Sequence, residues 1–248
     1  MTRTDFLATL NRWIHESTST VFFGGAGVST ESGLLDFRSP AGIYSQEGGA
    51  EAYLTLEFLN ARPEAFYDFY RNYFMVTGLE PNPAHLKLAE MEKLGLLSAV
   101  ITQNIDGLHQ QAGSRRVLEL HGNGTRFYCQ RCGRDYSMEE AMAAEGAFYC
   151  HDLDCGGLAR PDIVMYGEAL DADTVTASAR AIAEAELLIV GGSSLTVYPA
   201  AGMIHYRKGD SRLALINLET TSYDEDADLV GSWPIGALFA ELRLDPVE

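Results

Sequence analysis

The stretch that decides the fold is TVFFGGAGVSTESGLLDFR, which spans residues 20–38. Its β-branched and aromatic start followed by a glycine-rich turn is typical of a buried strand whose end lets a ligand approach the backbone closely. Ser29 and Thr30 follow as candidate helix caps. Because free N–H groups at a helix start bind phosphate, the stretch predicts a nucleotide site, with a plain tight turn as the alternative.

The stretch matches the dinucleotide-binding fingerprint only in part. Gly25-x-Gly27 is present, but Thr30 stands where a third glycine is expected. No acidic residue ends an obvious second strand about twenty residues further on, where the fingerprint places one. Other motifs are therefore needed to choose between a nucleotide site and a turn.

The composition is that of an ordinary soluble globular protein. The chain has 248 residues, of which 46% are hydrophobic and 21% charged, enough for one large domain with or without a small inserted module. The N-terminus carries Asp5 and lacks an apolar core of signal length, and no apolar stretch approaches a bilayer span. We therefore expect a cytoplasmic protein with no membrane partner.

The charge balance is strongly acidic. The net charge is −17, from 35 acidic and 18 basic residues. This disfavours nucleic acid as a partner, because phosphate contacts need clustered lysine and arginine. It suits a basic partner such as a lysine-rich peptide through long-range attraction, with solubility as the alternative explanation. The oligomeric state is not determined by the sequence, and a monomer is the default expectation.

Apolar runs alternate with helical segments along the chain. The runs lie at 20–23, 98–102, 117–120, 187–190 and 213–216, with a further short one at 162–165. The helical segments lie at 5–16, 63–74, 85–93, 174–185 and 234–242. This alternation is typical of a parallel sheet that is covered by helices on both faces.

All four cysteines fall in one short region. They read Cys129-x2-Cys132, then a gap of 17 residues, then Cys150-x4-Cys155. Two close pairs at this separation are the spacing of a zinc ribbon with four thiolate ligands, which leaves no open position for a substrate. We therefore predict one structural zinc ion, Zn2+, per chain. Two disulfides are the alternative, and they would require an oxidising compartment.

Polar residues follow several of the predicted strands. Gln103, Asn104 and Asp106 come directly after the run at 98–102, where they can hydrogen-bond a cofactor or cap a helix. His121 follows the run at 117–120, where it can act as a general base or as a hydrogen-bonded structural histidine. Ser193, Ser194 and Asn217 follow two later strands, with turns as the alternative.

Together these motifs resemble those of the sirtuin family in its zinc-containing bacterial form. The matching residues run in order over nearly the whole chain: GAGVSTESGLLDFR (25–38), TQNID (102–106), LHG (120–122), the four cysteines, RPDIVMYGE (160–168), GSSLTVYP (192–199) and Asn217. Each motif alone is weak, but their ordered combination is specific.

The resemblance implies both a fold and an activity. The fold is an α/β, Rossmann-like domain with a parallel six-stranded sheet over 1–123 and 158–248. Residues 39–80 form the helical part of a small lobe, and 124–157 form a zinc-ribbon insertion. The activity is NAD-dependent deacetylation of lysine in proteins. In sirtuins the acyl oxygen attacks the ribose carbon that bears nicotinamide, nicotinamide leaves, and the acyl group ends on ADP-ribose.

The resemblance also implies roles for individual residues. His121 is the general base, Asn104 holds ribose or water, and Asp106 holds the carboxamide of nicotinamide. The implied cofactor-binding residues are Gly25, Ala26, Gly27, Thr30, Phe37, Arg38, Gln103, Ile105, Asp106, His121, Ser193, Ser194, Asn217, Leu218, Pro234 and Ile235. The implied substrate-binding residues, in two strands that flank an acetyl-lysine peptide, are Val164, Tyr166, Gly167, Glu168, Leu195 and Val197.

Three departures from the family pattern affect these expectations. Leu34-Leu35 replaces the usual Ile-Pro before Asp36, and Tyr166 replaces the usual phenylalanine. The desuccinylase branch has a tyrosine and, three positions later, an arginine that binds the acyl carboxylate. Here the residue three positions after Tyr67 is Tyr70, and the arginine, Arg71, comes one position later than in that branch. We therefore expect succinyl-lysine to be a poor substrate.

Three other functions are compatible with the same motifs. Removal of longer acyl chains and mono-ADP-ribosyl transfer both need the same NAD site. A non-catalytic NAD-sensing module would bind NAD without releasing nicotinamide. The presence of His121, Asn104 and Asp106 favours deacetylation over this last alternative.

Overall fold

The computed structural model describes residues 1–37, 42–43, 49–152 and 154–245. Within these residues nine strands form two sheets. The strands are β1 (Thr20–Gly24), β2 (Ala99–Thr102), β3 (Val117–Glu119), β4 (Gly122–Cys129), β5 (Asp135–Ser137), β6 (Ala159–Ile163), β7 (Leu187–Gly191), β8 (Arg212–Ile216) and β9 (Leu229–Gly231).

The large sheet has six parallel strands in the order β3-β2-β1-β7-β8-β9, which confirms the predicted fold. In the register of the sheet, Phe23 lies beside Ile101 on one neighbour and Val190 on the other. The chain order reverses between β1 and β7. In open α/β sheets ligands bind outside the carboxyl ends of the strands at such a switch point.

Helices cover both faces of this sheet, and others pack with the second, smaller sheet. The helices are α1 (Arg3–Glu16), α2 (Leu56–Ala61), α3 (Pro63–Tyr73), α4 (Pro83–Lys93), α5 (Leu108–Gln111), α6 (Met138–Ala143), α7 (Ala172–Glu184) and α8 (Ile235–Glu241). Phe22 of β1 packs in the core that includes α1, α4 and α8, whereas Val21 and Phe23 face the core that includes α7. None of the helices among the described residues is long and apolar enough to cross a bilayer.

The small sheet is antiparallel, in the order β5-β4-β6, and packs with α2, α3 and α6 around a second, aromatic core. It begins at Gly122 and ends at Ile163, and therefore extends beyond the predicted insertion 124–157 at both ends. The apolar run at 162–165 overlaps β6, which belongs to this sheet and not to the parallel one. The domain boundaries themselves stay a prediction.

Candidate functional site

The small sheet and helices α2, α3 and α6 form the small lobe of the protein. A cavity of about 640 Å³ lies at the carboxyl ends of the parallel strands, between the large sheet and this small lobe. Arg38 lies outside the described residues. Every other predicted cofactor-binding and catalytic residue lines the cavity, namely Gly25, Ala26, Gly27, Thr30, Phe37, Gln103, Asn104, Ile105, Asp106, His121, Ser193, Ser194, Asn217, Leu218, Pro234 and Ile235. The structure therefore brings together residues from six separate segments.

The glycine turn after β1 packs directly against the turn after β7. The N–H of Gly27 donates to the carbonyl of Gly192 at 2.8 Å. A Cβ atom on Gly27 would lie 2.8 Å from Gly192 Cα, and one on Gly25 would lie 2.9 Å from Gly192 O. The glycines are thus required for the close approach of these two turns, which share the cavity wall.

Ser29 joins the turn after β1 to the turn after β2. Its hydroxyl donates to Asp106 Oδ2 at 2.7 Å and accepts from Asn104 Nδ2 at 3.0 Å. Asp106 Oδ1 accepts from the N–H of Leu108 at 2.9 Å, at the start of α5. The N-cap of α5 is Gly107, which makes no side-chain cap bond, so Asp106 binds the first N–H of the helix from one residue before the cap position. Asp106 also lines the cavity.

Neither Ser29 nor Thr30 caps a helix with its side chain, so that interpretation of the sequence was wrong. The two short 3-10 turns here, Ala26–Val28 and Thr30–Ser32, have no side-chain cap bond. The Ser29 hydroxyl is taken by Asp106 and Asn104, and that of Thr30 donates to the carbonyl of Gly27 at 3.1 Å.

The side chain of Ser29 also contacts a buried histidine, His85. Its Nδ1 accepts from the N–H of Asn82 at 3.3 Å, so the ring proton is on Nε2, which faces the Ser29 hydroxyl at 3.4 Å. The sequence indicates only that His85 begins a helical segment and does not predict this contact. The amide of Asn82 donates to the carbonyl of Val28 at 2.7 Å and thereby fixes the same loop.

His121 lines the cavity as a neutral histidine with its Nε2 unprotonated. Its Nδ1 lies 2.9 Å from the carbonyl oxygen of Gln103, which can only accept, so Nδ1 carries the proton and Nε2 keeps its lone pair. Burial lowers the pKa of His121 below its usual 6.5, and the bond to Gln103 opposes this only in part. The ring is therefore neutral at pH 7, which a base requires.

The two predicted substrate segments lie at the cavity. Val164, Tyr166, Gly167, Glu168 and Val197 line it. Among the described lining residues Leu195 is absent, because its side chain is only 2% exposed and packs in the core. The carboxylate of Glu168 pairs with Arg160 at 2.6 Å. These contacts leave main-chain roles for Leu195 and Glu168, which stay predictions.

The residues that correspond to the desuccinylase pair are engaged in other contacts, with Tyr67 and Tyr70 buried and Arg71 half-buried. The Tyr67 hydroxyl donates to the carbonyl of Ala159 at 2.8 Å. The guanidinium of Arg71 donates to the carbonyls of Ala144, at 2.9 Å, and Gly146. Tyr70 is fully buried in a stack with Phe66 and Phe74. Neither Tyr67, Tyr70 nor Arg71 is among the described residues that line the cavity.

The four cysteines converge in the small lobe. All four Sγ atoms lie within 4.8 Å of one another, with Cys129 and Cys155 at 3.5 Å and Cys132 and Cys150 at 3.7 Å. Zinc–sulfur bonds of about 2.3 Å in a tetrahedron place the sulfur atoms about 3.8 Å apart. These separations fit one tetrahedral metal ion and are too long for disulfide bonds of about 2.05 Å.

The buried histidines behind the cavity make acid pH destabilising. Burial lowers the pKa of His85 to about 4 and that of His109 to about 3. The centroids of the two rings are 4.7 Å apart. Below pH 6.5 the unfolded chain therefore binds protons that the folded chain excludes, so stability falls as the pH drops toward 3.

We expect His109 alone to lower the free energy of unfolding by about 2 kcal/mol between pH 7 and pH 5. Urea unfolding at the two pH values measures this difference. In His109→Leu, which keeps the core filled, the pH dependence should be smaller by that amount. An equal pH dependence in both proteins would contradict the assignment.

The fold and the cavity define a class of protein: a nucleotide-binding α/β protein with a four-cysteine cluster in its small lobe. The Sir2 family model matches residues 25–199. This chain belongs to the Sir2 family, as the sirtuin resemblance of its motifs predicted.

Relatives in this family are similar over almost the whole chain. A "NAD-dependent protein deacetylase" of Clostridium acetobutylicum is 48% identical over 236 residues, which are 94% of this chain and 96% of the relative. One of Cutibacterium acnes is 49% identical over 225 residues, or 89% and 91% of the two chains.

Solved structures agree in fold. A Sir2 protein with p53 peptide and NAD+ has a TM-score of 0.85 at 38% identity, covering 98% of this chain and 97% of that one. A Sir2 protein with deacetylated p53 peptide and 3'-O-acetyl ADP-ribose has a TM-score of 0.88 at 38% identity, covering 97% and 96%.

Proposed function

We propose that this protein is an NAD-dependent protein-lysine deacetylase that transfers the acetyl group to ADP-ribose and releases nicotinamide. The observation that carries the proposal is the position of His121. Its proton-accepting Nε2 belongs to a ring that lines the same cavity as Asn104 and Asp106. The relatives named above, which are deacetylases by name, support the same activity.

Each of the three residues has a task that its environment permits. His121 Nε2 takes the proton of a ribose hydroxyl, which makes that oxygen nucleophilic toward the acetyl group. The Asp106 carboxylate accepts an N–H of the nicotinamide carboxamide with the lone pairs that Ser29 and Leu108 leave free. Asn104, oriented by Ser29, offers its amide oxygen to ribose or water. NAD supplies the electrophilic ribose carbon when it is bound.

The main chain is the proposed binding site for the diphosphate. Ala26, Ser193 and Ser194 line the cavity, and within the described part of the chain no acceptor takes their backbone N–H groups. Backbone N–H groups in such turns bind phosphate oxygens. The sirtuin pattern assigns a further cation for the diphosphate to Arg38, which lies outside the described residues.

The four-cysteine cluster is the proposed site of a structural zinc ion. Cys129, Cys132, Cys150 and Cys155 supply the thiolate donors, and their separations fit tetrahedral coordination. When bound, the ion links β4 to the segment that precedes β6, and this stabilises the small lobe.

The proposed substrate is acetyl-lysine in a basic stretch of protein. The described residues that line the cavity include Asp36, Glu80, Glu139 and Glu219, and none of them is lysine or arginine. These acidic residues and the chain's net charge of −17 attract cationic peptides over long range. Basic residues beside the acetyl-lysine should therefore raise the association rate, most strongly at low salt.

The test is incubation of the protein with NAD and acetyl-lysine peptides whose flanking residues are either basic or acidic. Nicotinamide and the deacetylated peptide are expected in equal amounts, with basic flanks preferred. A panel of longer acyl groups in the same peptide separates deacetylation from removal of longer chains. Failure to release nicotinamide with any peptide would rule out the enzyme.

We expect succinyl-lysine to be turned over at least about tenfold more slowly than acetyl-lysine. An acyl carboxylate would enter a cavity whose described lining offers no cation, because Arg71 is held by main-chain carbonyls. An unpaired buried charge of this kind costs more than 1.4 kcal/mol, which is tenfold in rate. The measurement is kcat/KM for matched acetyl and succinyl peptides, and equal values would contradict the expectation.

A further inference from the structure

The N-terminus of helix α8 is capped by a side chain from the glycine loop, which is the segment 25–33 after β1. The residue before α8 is Pro234, whose side chain has no hydrogen-bond acceptor, and no side-chain cap bond comes from it. The two oxygens of Glu31 instead accept from the N–H groups of the second and third helix residues, with Oε2 at 2.5 Å from Gly236 N and Oε1 at 2.9 Å from Ala237 N. Glu31 is 205 residues away from Gly236 in the chain.

This cap connects two parts of the cavity wall. Glu31 lies in the turn Thr30–Ser32, between the glycines and Phe37, whereas Pro234 and Ile235 line the cavity from the C-terminal end of the chain. Ile235 is 3% exposed and packs so closely on Gly191 that a Cβ there would lie 2.3 Å from its Cδ1.

The carboxylate of Glu31 lies close against Gly236, so a larger residue at this position would have to displace it. A Cβ on Gly236 would lie 2.7 Å from Glu31 Oε2. Ile235, Leu238 and Phe239 of α8 also pack in the core that includes α1, α4 and Val28. A second polar attachment is Arg3 of α1, which donates to the carbonyl of Ala237 and pairs with Glu241 at 3.2 Å. Arg3 bonds α8 to α1, whereas Glu31 is the side chain that hydrogen-bonds α8 directly from the glycine loop.

We propose that Glu31 is a positioning residue for NAD, which holds Pro234 and Ile235 at the distance from the glycine loop that the bound dinucleotide requires. This inference rests on the proposed NAD site. Glu31 does not touch the reacting atoms. Its loss should therefore weaken NAD binding and leave the chemical step unchanged.

The test is steady-state deacetylation with NAD as the varied substrate. Glu31→Ala should raise KM for NAD about five- to tenfold, the size of a lost helix cap, with kcat and the KM for peptide unchanged. Gly236→Ala, which displaces the carboxylate from the other side, should raise it similarly. The double variant should be no worse than either single one, because both remove the same contact.

Asp171→Ala is the matched control, because Asp171 caps α7 through the N–H of Thr174 at 2.8 Å and lies outside the cavity. It should lower the melting temperature comparably and leave KM for NAD unchanged. Where Glu31→Ala does not fold, Glu31→Gln, which keeps one acceptor oxygen, and Gly236→Ala give the answer.

The proposal is overturned if the wild type consumes NAD and these variants keep its KM for NAD. It is equally overturned if Asp171→Ala raises that KM as much as Glu31→Ala does. A wild-type protein that consumes no NAD with any peptide would refute the proposed deacetylase instead.

Discussion

His121→Ala is expected to lower kcat for NAD-dependent deacetylation by about 10²- to 10⁴-fold, the usual contribution of a positioned general base. The Nε2 lone pair of His121 is the proton acceptor in the proposed step, and the Nδ1 proton is held by Gln103. The variant should still bind NAD, because the glycine loop and Asp106 are untouched. Parallel assays of nicotinamide release and of NAD binding by calorimetry separate these two effects.

The pH profile gives an independent check on the same residue. Because the pKa of His121 lies below 6.5, the wild-type rate should be constant around pH 7 and fall only at more acid pH. His15→Ala, in the last turn of α1, is the matched control and should keep full activity. If His121→Ala retained more than about a tenth of the wild-type kcat, the residue would not be the general base.

The large sheet and the location of the cavity followed from local patterns. Apolar runs such as 187–190 are long enough to indicate buried strands, and the polar residues after them meet because parallel strands end at one edge. For the same reason Gln103 and Ser193 could be placed together from the sequence, and their side chains hydrogen-bond at 2.9 Å.

The contacts that hold the cavity residues in place could not be predicted from such local patterns. Ser29 and His85 are 56 residues apart in the chain. Ser29 lies in a turn and His85 at a helix start, and neither local motif indicates that the two side chains meet. The three-residue strand β9 was missed because an apolar pattern needs more positions to show a period. Glu31 was overlooked since a cap supplied from a distant segment leaves no local motif.

Single residues also depart from what their motif suggests. Leu195 belongs to a motif predicted to bind substrate, yet its φ of 54° turns the backbone so that the side chain enters the core. Backbone conformation of this kind is imposed by the packing of the surrounding turn. It is not visible in residue type, because a leucine rarely adopts it.

The other large effect is expected from the four-cysteine cluster. Cys150→Ser should remove the bound zinc and unfold the small lobe, because zinc binding to such sites contributes about 10–16 kcal/mol in isolated peptides, comparable with the whole stability of a domain. Metal analysis should find one zinc per wild-type chain and none in the variant. Hydrogen exchange should become fast in β4 to β6 while β1, β7 and β8 stay protected, since their core is separate.

The matched control is Met142→Ser, which removes a sulfur-containing side chain from the same lobe at an exposed position outside the cluster. It should keep one zinc ion and wild-type exchange. The small lobe supplies Glu139 and Val164 to the cavity wall, so Cys150→Ser should also lose deacetylation. A metal-free wild-type chain with a protected small lobe would show instead that its aromatic core, with Phe127 and Phe148 at its centre, is sufficient for folding.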